Sequence, residues 1–279
     1  MSPGRLERLA AFTENPRYGN PAGVWRGAEL PPPDQMQRTA RELGYSETIF
    51  LAPSGNNRYH VRYFSPEAEV PFCGHATIAA GVRLGQDEGP GTFHFDTLTG
   101  DVAVRVQLRG ESLQASLTSV EPGYELAAEK LVAAALDCLG WKKEELDGAI
   151  PPARAYAGAW HLVLAVATRE RLARLRYDFE SLKALMLRNE LTTVQLVWRE
   201  SRDVFHSRNP FPVGGVVEDP ATGAAAAALG GYLRNSGIVE VPARLNIRQG
   251  EDMGRPSRLT VDVPRAGGII VSGTAVPIT

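Results

Sequence analysis

The chain has 279 residues, 43% of them hydrophobic and 22% charged, with a formal net charge of −2. That length and composition suit a globular protein of one large or two ordinary domains, and near-neutrality gives no electrostatic case for nucleic acid or an acidic membrane surface as partner. No run approaches the ~20 apolar residues of a membrane span, and the N-terminal stretch lacks the apolar segment of a signal peptide, so a cytoplasmic protein is expected.

In chain order, LERLAAFTENPRYGNPAGVW reads as a strand running into a loop punctuated by Gly19, Asn20, Pro21 and Gly23. Loops on a rigid scaffold often carry function, and Asn20 is a candidate substrate-binding residue. PPPDQMQRTARELGY predicts a helix, with prolines before Asp34, apolar positions at Met36, Ala40 and Leu43, and Gly44 as its stop. YSETIFLA predicts a strand whose alternation sets Tyr45, Glu47, Ile49 and Leu51 on one side, leaving a carboxylate among apolar neighbours.

A further strand, YHVRYFSP, leads to VPFCGHATIAAGVRL, a helix of small residues with Cys73, Gly74 and His75 at its start. TFHFDTLTGDVAVRVQL predicts two strands turning at Thr99, Gly100 and Asp101, so the first half reads as strands around one helix. Beyond Pro122, ELAAEKLVAAALDCLGWKKEEL predicts a mostly surface helix with Cys138 on its apolar side, and AWHLVLAV a buried strand. RERLARLRYDFESLKALMLRNE predicts a charged helical region and TTVQLVWRE another strand.

Two segments resemble each other: EVPFCGHATIAAGVRLG and EDPATGAAAAALGGYLR share an acidic residue, a proline, a glycine and a helix of tiny residues. Each precedes a strand, DVAVRV or RLTVDV, which suggests two duplicated lobes. A helix opening on glycine offers its free N–H groups to a carboxylate or phosphate. Small residues equally let a central helix be tightly surrounded, and the pattern does not decide between the two.

The chemistry-bearing residues carry similar alternatives. Glu47 suits proton transfer if desolvation raises its pKa, or it is an edge carboxylate. His75 can donate a proton or only cap a turn, and Asp219 can cap a helix or bind a substrate ammonium. Cys73, at a helix start, could be an activated nucleophile, but the second segment has Thr222 at the matching place and no second thiol. The histidines at 60, 75, 94, 161 and 206 are scattered, and no HExxH, Cys/His, Walker or GxGxxG pattern occurs. Neither a metal nor a cofactor is expected.

Taken in order, AFTENPRYGNPAGVW, QMQRTARELGYSETIF, RYFSPEAEVPFCGHATIAAG, GVVEDPATGAAAAALGGYL and RQGEDMGRPSRLTV resemble the PhzF family of phenazine-biosynthesis-like isomerases along nearly the whole chain. The resemblance implies an α+β fold similar to diaminopimelate epimerase. Two pseudo-symmetric lobes, at 1–118 and 119–279, would each wrap a curled, mostly antiparallel, barrel-like sheet around a central helix. The last strand, about 268–279, is a candidate to return to the first lobe, and the site would lie between lobes.

The resemblance also implies a homodimer and cofactor-independent proton shuttling by Glu47 on a small anionic metabolite, with His75 and Asp219 assisting. In the phenazine enzyme that metabolite is trans-2,3-dihydro-3-hydroxyanthranilate. Gly74, Gly223 and neighbouring amides would hold its carboxylate. Where the phenazine enzyme has serine after the second ATG, this chain has Ala224, which removes a hydroxyl contact and argues for a different substrate. A one-thiol epimerase using Cys73, and a silent small-molecule binding protein of the same fold, are the alternatives.

Overall fold

A computed structural model describes residues 4–278. The chain divides into two compact units: the described residues up to Leu117 with those from Ser272 onward, and Thr118–Val271.

The first unit begins with strands β1 (Arg5–Ala11) and β2 (Asn20–Arg26), paired antiparallel with Ala11 opposite Asn20. The Gly/Pro-rich stretch expected as a loop is therefore divided. Residues 12–19 make the turn, and Asn20–Gly23 already belong to β2, whose one proline, Pro21, stands where a missing N–H costs least, before the strand's parallel pairing begins at Gly23 opposite Thr48. Helix α1 (Pro33–Leu43) starts on proline and stops at Gly44 in the left-handed conformation. Its buried Met36 and Ala40 pack on Phe50 and Phe64.

Strand β3 (Thr48–Gly55) runs parallel to β2, and β4 (Arg58–Phe64) returns antiparallel. Against expectation, β3 begins only at Thr48, so Tyr45 and Glu47 precede it. Thr48–Ala52 are buried without alternation, because elements cover both faces of the strand.

Short β5 (Glu69–Val70) pairs with the end of β4 and delivers the chain to helix α2 (Gly74–Glu88), most of which is buried. A Cβ on Gly81 would stand 2.6 Å from Val104, so the tiny residues of α2 do serve close packing. The unit continues with β6 (Gly91–Thr97), β7 (Gly100–Arg109) and β8 (Ser112–Thr118). β6 runs parallel to β4, and the other pairings are antiparallel. Besides the enclosed α2, the unit has α1, the helix that PPPDQMQRTARELGY predicts.

The second unit opens with β9 (Gly123–Leu126), α3 (Glu129–Leu139), β10 (Ala153–Tyr156) and β11 (Trp160–Ala165). The expected single helical region becomes α4 (Arg169–Ala173) and α5 (Phe179–Arg188). Thr168 and Asp178 accept from the N–H groups of Arg171 and Ser181, so two N-caps divide it. α3 and α5 bury leucines against one face of β11 and of β12 (Thr193–Arg199). Cys138 is only partly buried at the margin of that cluster, and burial pushes its thiol up.

Strands β13 (Val204–Phe211) and β14 (Val216–Asp219) lead to α6 (Gly223–Asn235), followed by β15 (Ala243–Gln249) and β16 (Ser257–Val263). β17 (Ile270–Gly273) carries the chain onward, and β18 (Ala275–Pro277) pairs with β1.

The two units repeat one pairing plan. Hairpin β1/β2, parallel β3, hairpin β3/β4, short β5, helix α2, parallel β6 and hairpin β6/β7 correspond to β10/β11, β12, β12/β13, β14, α6, β15 and β15/β16. The fold is α+β with a mixed sheet, parallel where a helix makes a crossover.

Candidate active site

In the first unit the chain reaches α2 through a held approach. Arg62 grips Glu69 through two hydrogen bonds, at 2.6 and 2.5 Å, and so fixes β5. Thr77 Oγ1 donates to the Cys73 carbonyl at 2.7 Å and meets the buried Tyr63 hydroxyl at 2.7 Å. Packing does not demand a glycine at 74, since only the Phe72 ring, at 4.0 Å, comes near where its Cβ would stand. The backbone there is open to close approach.

Glu47 is the last residue before β3, and its side chain is 16% exposed against 7% for His75. His75 Nε2 lies 3.5 Å from Glu47 Oε2 and 3.4 Å from Ser46 Oγ. Cys73 Sγ lies 3.4 Å from His75 Nδ1 and 3.8 Å from Nε2. Burial pushes the Glu47 carboxyl above the usual carboxylate range, and hydrogen bonds from Ser46 and Cys73 oppose the rise. A carboxyl so placed holds a proton more readily than an exposed glutamate, which suits a group that both takes and returns one. Asn20, 1% exposed, starts β2 in the same unit.

In the second unit, Asp219 ends β14 and Thr222 takes the cap position of α6, with Gly223 and Ala224 as the first helical residues. Asp219 accepts from the Thr222 hydroxyl at 2.5 Å. Ala224 takes in α6 the place that His75 takes in α2, so the duplicated helix starts present different chemistry.

The structure adds two residues that the sequence reading missed. Ser46 touches His75, and being the neighbour of Glu47 was its only signal. Gln249, 1% exposed, donates to the Asp219 carbonyl at 2.7 Å and to Thr222 Oγ1 at 3.0 Å, and accepts from the Thr222 N–H at 3.2 Å. It stands in the QGEDMGRPS motif. Gly250 beside it has φ +74°, and a Cβ there would lie 2.3 Å from the Arg255 carbonyl oxygen and 2.8 Å from that of Pro220. The motif is thus a brace pressed against the loop that carries Asp219.

The family profile described as phenazine biosynthesis-like protein, PhzC-PhzF, matches residues 9–279. This chain belongs to that family. It is 31% identical to the uncharacterised isomerase YddE of Escherichia coli K12 over 98% of this chain and 95% of that protein. It is 32% identical to trans-2,3-dihydro-3-hydroxyanthranilate isomerase of Pseudomonas fluorescens, over 89% and 86% of the two chains. A solved structure described as a predicted epimerase from Pseudomonas aeruginosa superposes with a TM-score of 0.87 at 27% identity, over 99% and 98% of the two chains.

A hydroxyproline epimerase from Agrobacterium vitis, with a TM-score of 0.67 and 14% identity over 98% and 90% of the chains, shares the fold alone. As a PhzF-family member the chain is an isomerase, with an epimerase-like fold. Among the described residues, no helix is long and apolar enough to cross a membrane.

Proposed function

We propose that the protein moves a proton between carbons of a small carboxylate-bearing metabolite, with Glu47 as general acid/base and without a cofactor. The observation that carries this reading is the half-buried Glu47 carboxyl beside His75, with its proton affinity raised by desolvation. The Glu47 carboxylate takes a proton from a carbon next to an unsaturated system, and the electron pair of that C–H bond enters the system. The proton then returns to another carbon, a new C–H bond forms, and no electrons leave the substrate. His75 hands a second proton to a substrate heteroatom or orients Glu47, and the open N-terminus of α2 at Gly74 receives the substrate carboxylate.

Asp219 is assigned to the substrate's amino or hydroxyl group, with Asn20 and the amides at Gly223 and Ala224 as further contacts. The family resemblance adds a homodimer. One observation favours a second reading: Cys73 Sγ within 3.4 Å of His75 Nδ1 suits a one-thiol epimerase.

Turnover of candidate carboxylates in deuterated water separates the two. Glu47→Gln is expected to abolish deuterium uptake at carbon while Cys73→Ser retains most of it. Unchanged uptake in Glu47→Gln would sink the assignment, and loss confined to Cys73→Ser would establish the thiol.

A further inference from the structure

The Cys73, His75 and Glu47 cluster also has the composition and dimensions of a metal face. One atom from each residue lies within 4.8 Å of the other two, and His75 Nε2 is 3.8 Å from Cys73 Sγ and 3.5 Å from Glu47 Oε2. Tetrahedral Zn²⁺, with bonds of about 2.3 Å to sulfur and about 2.0 to 2.2 Å to nitrogen or oxygen, needs donor separations of about 3.4 to 3.6 Å. Both separations from His75 Nε2 lie within a few tenths of an ångström of that geometry, and the Cys73–Glu47 separation, no more than 4.8 Å, closes by side-chain rotation. We infer that Glu47, Cys73 and His75 form an inhibitory binding site for Zn²⁺.

The donor set selects the ion. A thiolate and an imidazole prefer Zn²⁺ to Mg²⁺ or Ca²⁺, which take oxygen donors. Charge closes as well: one thiolate and one carboxylate neutralise a divalent cation, so the bound state leaves no net charge in a largely buried place. On binding, the S–H bond of Cys73 gives its proton to solvent and the sulfur lone pair goes to the metal. Three protein ligands leave the fourth position to water or a substrate carboxylate. The spacing of these residues along the chain concealed the set, since Glu47 lies far upstream of the Cys73 and His75 pair.

Binding itself depends only on the three donors. Inhibition rests on the proposed role of Glu47, because a carboxylate bound to zinc cannot accept a substrate proton.

Titration of the full chain with Co²⁺, followed by the near-ultraviolet thiolate-to-cobalt band and by competition with Zn²⁺, tests the site. The band is expected in the wild type and in Cys138→Ser, and to vanish in Cys73→Ser. Zn²⁺ affinity should fall at least about 100-fold in Cys73→Ser and in His75→Gln, as removal of a ligand exceeds the 10- to 100-fold effect of losing an outer-shell partner. Glu47→Gln serves as a further ligand variant should either of these fail to fold.

Absence of saturable binding, or a band that survives Cys73→Ser, overturns the site. Binding with the expected variant pattern that leaves turnover intact overturns the inhibition and removes Glu47 from catalysis, while the binding site itself stands.

Discussion

At the scale of single residues, Glu47 shows a carboxyl kept where folding does not favour its charge. Desolvation raises its pKa in the native state, so the unfolded chain holds the charged form more readily above the ordinary glutamate pKa. The native state therefore carries a penalty that is absent below the unfolded pKa and grows as pH rises through the folded one. Glu47→Gln should lower turnover by about 10² to 10⁴, yet raise the thermal midpoint at neutral pH, with the gain vanishing in acid. Activity and melting curves of the variant against pH check both signs. Ala224 makes the complementary case, as a place where a hydroxyl is lacking. If the phenazine precursor is a poor substrate for that reason, Ala224→Ser should improve its kcat/KM by about 5- to 160-fold, the equivalent of about 1 to 3 kcal/mol. Steady-state kinetics on trans-2,3-dihydro-3-hydroxyanthranilate would show it.

The elements around these residues explain what was legible in the sequence and what was not. The helix starts at Cys73–His75 and Thr222–Ala224 could be read directly, because a run of tiny residues behind a proline and a glycine is local information. Glu47 could be singled out, but by an alternation that the strand does not follow: β3 begins one residue later and is buried on both faces. Its burial comes from α2 arriving with His75 and Cys73, a long-range contact that periodicity does not encode. Gln249 was opaque for the same reason, since its hydrogen bonds reach back 30 residues to Asp219 and 27 to Thr222. Gln249→Leu keeps the volume but strands the Asp219 carbonyl and the Thr222 N–H, at a cost of about 1 to 3 kcal/mol. If the brace positions Asp219 for substrate, KM should rise well beyond any change in kcat, and Gln249→Glu, which keeps the acceptor for the Thr222 N–H, should restore part of the loss. Equal kinetics in the wild type and Gln249→Leu would leave the residue a purely structural role.

At the scale of the whole molecule, duplication carries more than the helix starts. Val70 and Asp219 each stand four residues before the glycine that opens α2 or α6, and they pair with Tyr63 and Asn209. One residue earlier on each strand lie Arg62 with Glu69, and Arg208 with Glu218, each a two-bond guanidinium–carboxylate pair. The same clamp thus holds the strand that delivers each helix start, in a repeat whose side chains otherwise diverged. Burial of the two clamps differs. Arg62 and Glu69 are 27% and 25% exposed, whereas Arg208 and Glu218 are 11% and 4% exposed. An exposed pair contributes little, about 1 kcal/mol or less, because solvent takes over when one partner is removed. A buried carboxylate left alone costs about 3 to 5 kcal/mol, and Arg208 also holds the Ala173 carbonyl. Arg208→Met should therefore lower stability several-fold more than Arg62→Met in denaturant unfolding. The double change Arg208→Met, Glu218→Leu should recover most of the deficit, because no charge is then left buried. Equal destabilisation by the two arginine variants would mean that solvent or another cation reaches Glu218, and that burial does not set the strength of the clamp.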